Sequence, residues 1–120
     1  MPMPEKLQFL YVLKLREDLL EDANWTTDDN QIVEQHFLRL QSDTLTGKVI
    51  LAGRTLNEDP SSFGIVIFEA ESEITAREYM GTDPAVQEGV MSATLFPYSV
   101  PLMKKNPWIL HKHIRSEIVL

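Results

Sequence analysis

The sequence predicts an α+β domain of ferredoxin-like β-α-β-β-α-β type, a sandwich of two helices on one face of a four-stranded antiparallel sheet. Three features point there. Apolar residues alternate at period two, or run continuously, in four short stretches. They recur at helical spacing in two others. Turn residues separate the six in the order strand, helix, strand, strand, helix, strand.

The first strand is the run 7–15, where Leu7, Phe9, Tyr11, Leu13 and Leu15 share one face and Leu10 and Val12 the other. An acidic loop with Glu17, Asp18, Glu21 and Asp22 follows. Thr26, with Asp29 three residues on, marks a helix start: the hydroxyl caps free N–H groups and the carboxylates sit near the positive end of the helix dipole. Ile32, Val33, His36, Phe37 and Leu40 keep helical spacing, so the helix is read over about residues 27–44, with Gly47 as its stop. Residues 48–54 form a short buried strand, with Val49 and Leu51 expected on one face and Ile50 and Ala52 on the other. Asn57, Asp59 and Pro60 mark a hairpin loop. The return strand, 63–70, carries Phe63, Ile65 and Ile67 on one face and Val66 and Phe68 on the other. Ser72 caps a second helix to about Met80, with Gly81 read as its left-handed terminator. Thr82-Asp83-Pro84 starts a short turn ending near Gly89, and 91–100 is the last strand, placed at an edge or bulge by Pro97.

Two helices cover only one side of such a sheet, yet both faces of the central strands are apolar. The uncovered face is expected to meet a second copy of itself, giving a face-to-face homodimer.

The chain has 120 residues, 43% hydrophobic and 24% charged, which suits one packed domain and not a disordered one. Eighteen acidic against 11 basic residues, a net of −7, argue against a nucleic-acid binder, which needs a basic surface to displace counterions. The absence of cysteine removes disulfide scaffolds, cysteine-based zinc sites, iron–sulfur clusters and thiol nucleophiles. No segment reaches the roughly 18–20 apolar residues that span a bilayer, and the first six residues do not read as a secretory leader. A cytoplasmic protein with no membrane partner is therefore expected. Charge is uneven: residues 1–100 hold 7 basic and 17 acidic side chains, net −10, and residues 101–120 hold 4 and 1, net +3. The expected organisation is a domain over 5–102 and a basic, partly apolar C-terminal arm over 103–120. In the arm, Trp108, Leu110, Ile114 and Ile118 argue for docking on the acidic body or across a dimer.

Four segments resemble, in order and spacing, the YCII-related family of small proteins with a dimeric α/β-barrel fold. They are His36-Phe37-Leu38-Arg39-Leu40, Val49-Ile50-Leu51-Ala52-Gly53, the run from Ala76 through Arg77-Glu78-Tyr79-Met80-Gly81-Thr82 to Asp83-Pro84, and Leu95-Phe96-Pro97-Tyr98. The resemblance covers roughly residues 7–102 and departs at Gly53-Arg54-Thr55, where family proteins often have Gly-Pro. It implies an active site pairing a histidine on the first helix with an aspartate before a proline, positions held here by His36 and Asp83. A lyase-type removal of halide from a chlorinated hydroxyquinol is an activity associated with the family.

Read from the residues alone, His36 lies on the stripe Ile32–His36–Leu40 and so faces the sheet or its rim. An imidazole there, its tautomer set by a carboxylate, suits proton transfer; the bland alternative is a buried histidine bonded to backbone. Asp83 before Pro84 is a good helix opening, and its second oxygen leaves room to orient His36 as well. Arg54 either clamps a substrate carboxylate or phenolate, or pairs with Glu58 or Asp59 in its own loop. Tyr11 and Tyr98 read as core or interface rings with satisfied hydroxyls, and Arg16 and Arg77 as surface ion pairs. His111-Lys112-His113 lacks a third ligand, so no metal is expected. A Gly-rich phosphate loop, a Gly-x-Ser-x-Gly elbow and a His-Glu-x-x-His motif are absent. The expected protein is a cofactor-independent small-molecule enzyme of lyase or isomerase type, working by proton transfer in a pocket of a homodimer. His36 is its general acid/base, Asp83 the orienting carboxylate and Arg54 a substrate-binding residue. The alternative is a catalytically inert dimeric domain that binds a ligand or a protein partner.

Overall fold

Residues 6–104 are described by a computed structural model. Residues 105–120, which hold most of the arm expected over 103–120 and His111-Lys112-His113, lie outside them.

In chain order the elements are β1 (Leu7–Leu15), α1 (Thr27–Thr46), β2 (Val49–Arg54), β3 (Gly64–Ala70), α2 (Glu73–Gly81), the one-turn α3 (Pro84–Gln87) and β4 (Met91–Tyr98). The four strands pair antiparallel in the order β2-β3-β1-β4, which is the ferredoxin-like sheet. Strand alternation explains the core. Phe9, Tyr11 and Leu13 of β1, Val66, Phe68 and Ala70 of β3 and Leu95 of β4 all point to one side, where Leu40 of α1 and Ala76 and Tyr79 of α2 cover them. In register, Ala52, Val66, Tyr11 and Leu95 form one row across that face, and Arg54, Gly64, Leu13 and Ala93 the next.

Local chemistry sets the element ends. Thr26 and Asp29 exchange side-chain and backbone hydrogen bonds in a capping box, and Gly47 stops α1 with φ 91°. Ser72 and Thr75 repeat the capping box at α2. Gly81 does not terminate α2 in a left-handed turn as expected. It stays helical, Thr82 caps the helix at φ −95°, and the second positive-φ glycine is Gly89. The acidic loop is also more ordered than its composition suggests. It folds into two 3₁₀ turns, Glu17–Leu20 and Asp22–Asn24, that bury Leu19, and the Trp25 indole N–H donates to the Leu19 carbonyl at 2.8 Å. Leu19, Ala85 and Val90, with Trp25, Ile32 and Val33 against them, make a second small core at the end of the sheet.

One expected face is corrected. Val49 pairs with Phe68 on the helix side, but Leu51 pairs with Ile67 on the opposite side, because an irregularity between Val49 and Leu51 shifts the register. An extra residue in one strand reverses the alternation beyond it. The face away from the helices therefore gains Leu51, beside Leu10, Val12, Ile65, Ile67 and Phe96. At its margin Leu51, Phe63, Phe96 and Tyr98 are 43–48% exposed. Lys14, on the same face, donates to the carbonyls of Pro60 (2.8 Å) and Ser62 (2.9 Å) and holds the hairpin loop.

Candidate active site

Asp83 is the centre of the site. It follows the α2 C-cap, precedes Pro84 and is fully buried. Three donors converge on it. His36 Nδ1 lies 2.7 Å from Oδ1, the Ala85 N–H donates to the same oxygen at 3.0 Å, and the Tyr11 hydroxyl donates to Oδ2 at 2.6 Å. Capping and orienting thus share Oδ1, and the second oxygen belongs to Tyr11. Burial acts to raise the Asp83 pKa, but the hydrogen bonds from His36 and Tyr11, the His36 charge and the Ala85 N–H outweigh it, and the carboxyl is held below its usual range. An ionised carboxylate only accepts hydrogen bonds, so Nδ1 of His36 carries the proton. In the neutral ring that leaves Nε2 as the lone-pair nitrogen.

His36 sits mid-way along α1 with its side chain 12% exposed, mostly but not wholly enclosed. A fixed tautomer and a buried carboxylate partner are two of the features a general base requires. Tyr11, read from the sequence only as a core ring, is wholly buried and edge-on to Phe68 and Tyr79. Burial first, then the Asp83 charge and hydrogen bond, push its phenol far above the ordinary tyrosine range, so it remains a neutral donor. Its sequence signal was a tyrosine in a run of aliphatics; only the sheet register reveals what the hydroxyl meets. Replacing Tyr11 by phenylalanine should lower stability by about 1.5–3 kcal/mol, the range for a hydrogen bond to a charged group. Urea denaturation checks this, and an unchanged midpoint would discount the bond.

Arg54 is exposed at the end of β2 and forms no ion pair with Glu58 or Asp59 among the described residues. Its Cβ shares the helix-side row with Gly64 and Leu13, one step beyond the Tyr11 row, and a Cβ on Gly64 would come within 3.8 Å of it. Arg16 pairs with Asp18 at 2.7 Å and Arg77 with Glu73 at 3.0 Å, as surface ion pairs. Two concavities of about 250 Å³ open elsewhere, one along Leu51, Gly53, Arg54 and Phe63, the other beside Lys6, Lys48, Glu69 and Glu71. His36 and Asp83 line neither. Among the described residues no group of three or more His, Cys, Asp or Glu is placed to hold a metal, and no helix is long and apolar enough to cross a membrane.

These features define a small ferredoxin-like α+β protein with a tyrosine–aspartate–histidine chain between helix and sheet. The chain belongs to the YCII-related domain family, whose profile matches residues 8–97. Among solved structures it is similar to the 5-chloro-2-hydroxyhydroquinone dehydrochlorinase of Burkholderia phenoliruptrix, in a complex with 2,5-dihydroxybenzoquinone. The TM-score is 0.57 at 19% sequence identity, over 78% of this chain and 94% of that one. None of the curated protein sequences matches it significantly.

Proposed function

We propose that the protein is a cytoplasmic, cofactor-independent small-molecule enzyme of lyase or isomerase type, and that His36 is its proton-transfer group. The observation that carries this reading is a fully buried carboxylate holding Nδ1 of a partly exposed imidazole at 2.7 Å. Nε2 takes a proton from a hydroxyl or an acidic carbon of the substrate. The electron pair left behind then either expels an anionic leaving group or accepts the proton back at another carbon. Asp83 holds the ring and stabilises the imidazolium as it forms. Arg54, exposed at the end of β2 on the helix-side row, is the proposed clamp for a substrate oxyanion. A dihydroxylated quinone, the ligand of the similar dehydrochlorinase, is the first substrate class to try.

The test is a thermal-shift titration with 2,5-dihydroxybenzoquinone on the wild type, Arg54→Ala and His36→Ala. At 100 times Kd a ligand stabilises by about 2.7 kcal/mol, which a melting curve resolves easily. The expected result is a shift for the wild type that shrinks in both variants. A shift equal in all three would place the ligand elsewhere and favour the inert binding domain.

The same reading makes the protein a homodimer through the sheet face that the helices leave bare. Leu10, Val12, Leu51, Ile65 and Phe96 put apolar side chains on that face, Leu51 and Phe96 nearly half exposed, and a second copy of the face would cover them. Sedimentation should give twice the mass of the 120-residue chain, and Leu51→Glu should shift it toward one. A monomeric wild type at micromolar concentration refutes the dimer.

A further inference from the structure

Arg39 follows His36 by three residues on α1, so the two side chains leave the same flank of the helix. Its Nη2 donates to Thr82 Oγ1 at 3.0 Å. Thr82 is the C-cap of α2 and the residue immediately before Asp83. The Thr82 hydroxyl in turn donates to the carbonyls of Glu78 at 2.8 Å and Tyr79 at 3.2 Å, so it closes the end of α2 while accepting from Arg39. The guanidinium carbon also stands 4.0 Å from the centre of the Tyr79 ring, and the Tyr79 hydroxyl donates back to Asp43 of α1.

The end of α2 that carries Asp83 is therefore tied to α1 by His36 to Asp83, by Arg39 to Thr82 and, a turn earlier, by Tyr79 to Arg39 and Asp43. The last turn of α2 has no basic residue of its own, so the Arg39 charge complements the negative end of that helix dipole from a neighbouring element. The Asp83 carboxylate is held by Tyr11 and the Ala85 N–H as well as by His36, and the Arg39 bond adds a tether at the residue before it, fixing the end of α2 against α1. Arg39 Nη1 is buried with no hydrogen-bond partner among the described residues, a desolvation penalty that an arginine on the open surface avoids.

We propose that Arg39 is a positioning residue: through Thr82 it sets the place of Asp83 and so holds the Nδ1–H tautomer of His36. The inference rests on the reading of His36 and Asp83 as the working pair. The experiment is NMR of the 15N-labelled full chain, following the His36 Nδ1–H resonance, which a hydrogen bond to carboxylate moves downfield and protects from exchange. Arg39→Gln and Thr82→Val should each lose the resonance or speed its exchange at least tenfold while the circular dichroism stays native. Thr82→Ser, which restores the hydroxyl, should recover it. A wild-type resonance in both Arg39→Gln and Thr82→Val overturns the inference and leaves the pair standing. Its absence from the wild type overturns the pair and the inference together. Should Arg39→Gln fail to fold, Arg39→Met, which keeps the aliphatic stem and removes the donor, takes its place, and a wild-type resonance in it overturns the inference.

Discussion

Asp83→Ala should cost the fold about 3–5 kcal/mol, the range for removing one member of a buried charged pair. The reason is the number of groups it strands. The Tyr11 hydroxyl, His36 Nδ1–H and Ala85 N–H all end on this carboxylate, and Tyr11 is wholly enclosed. Urea denaturation measures the loss, and a loss under 1 kcal/mol would show that the donors find other partners. The isosteric Asp83→Asn keeps an acceptor and should cost less. It also separates charge from shape in the pH dependence. Because folding lowers the Asp83 pKa, its contribution is complete above the ordinary carboxylate value of about 3.9 and disappears as pH falls through the lower folded value. The wild type should therefore lose stability below about pH 4, more steeply than Asp83→Asn.

His36→Gln should reduce kcat/KM by 10²–10⁴, the usual contribution of a positioned acid or base, at little change in KM. Glutamine can still donate to Asp83 Oδ1, so the buried carboxylate keeps a partner and the fold survives. What it lacks is a nitrogen that exchanges protons. Initial rates with a dihydroxylated quinone or hydroquinone that the thermal-shift titration has shown to bind measure the effect. A loss of less than about tenfold removes the proton-transfer role, whatever the variant does to binding.

Most of the architecture is legible in the residues. Period-two alternation in 7–15 and 63–70 assigns the core and open faces that the register then displays, and Thr26, Gly47 and Ser72 mark helix ends where capping chemistry operates. The misses have local causes. Glycine's tolerance of positive φ makes Gly81 the expected terminator, yet Thr82 caps α2 by a side-chain bond that needs no such angle. Leu51 lies on the face opposite to the one its spacing predicts, because a bulge leaves no mark in the hydrophobic pattern.

The site divides in the same way. His36 and Asp83 are individually visible, one by its place on a helical stripe, the other by the Asp-Pro opening. Their separation of 47 residues carries no information about distance, and the family resemblance is what paired them before the geometry did. Nothing in the sequence joins Tyr11 to Asp83, 72 positions away, or Arg39 to Thr82, because those contacts arise only when β1 and α1 pack against the end of α2. Periodicity and capping are interactions among near neighbours, so the chain alone determined the elements and, outside the bulged β2, their faces. A buried carboxylate's partners are chosen by packing between elements, so only the tertiary structure decided what holds His36.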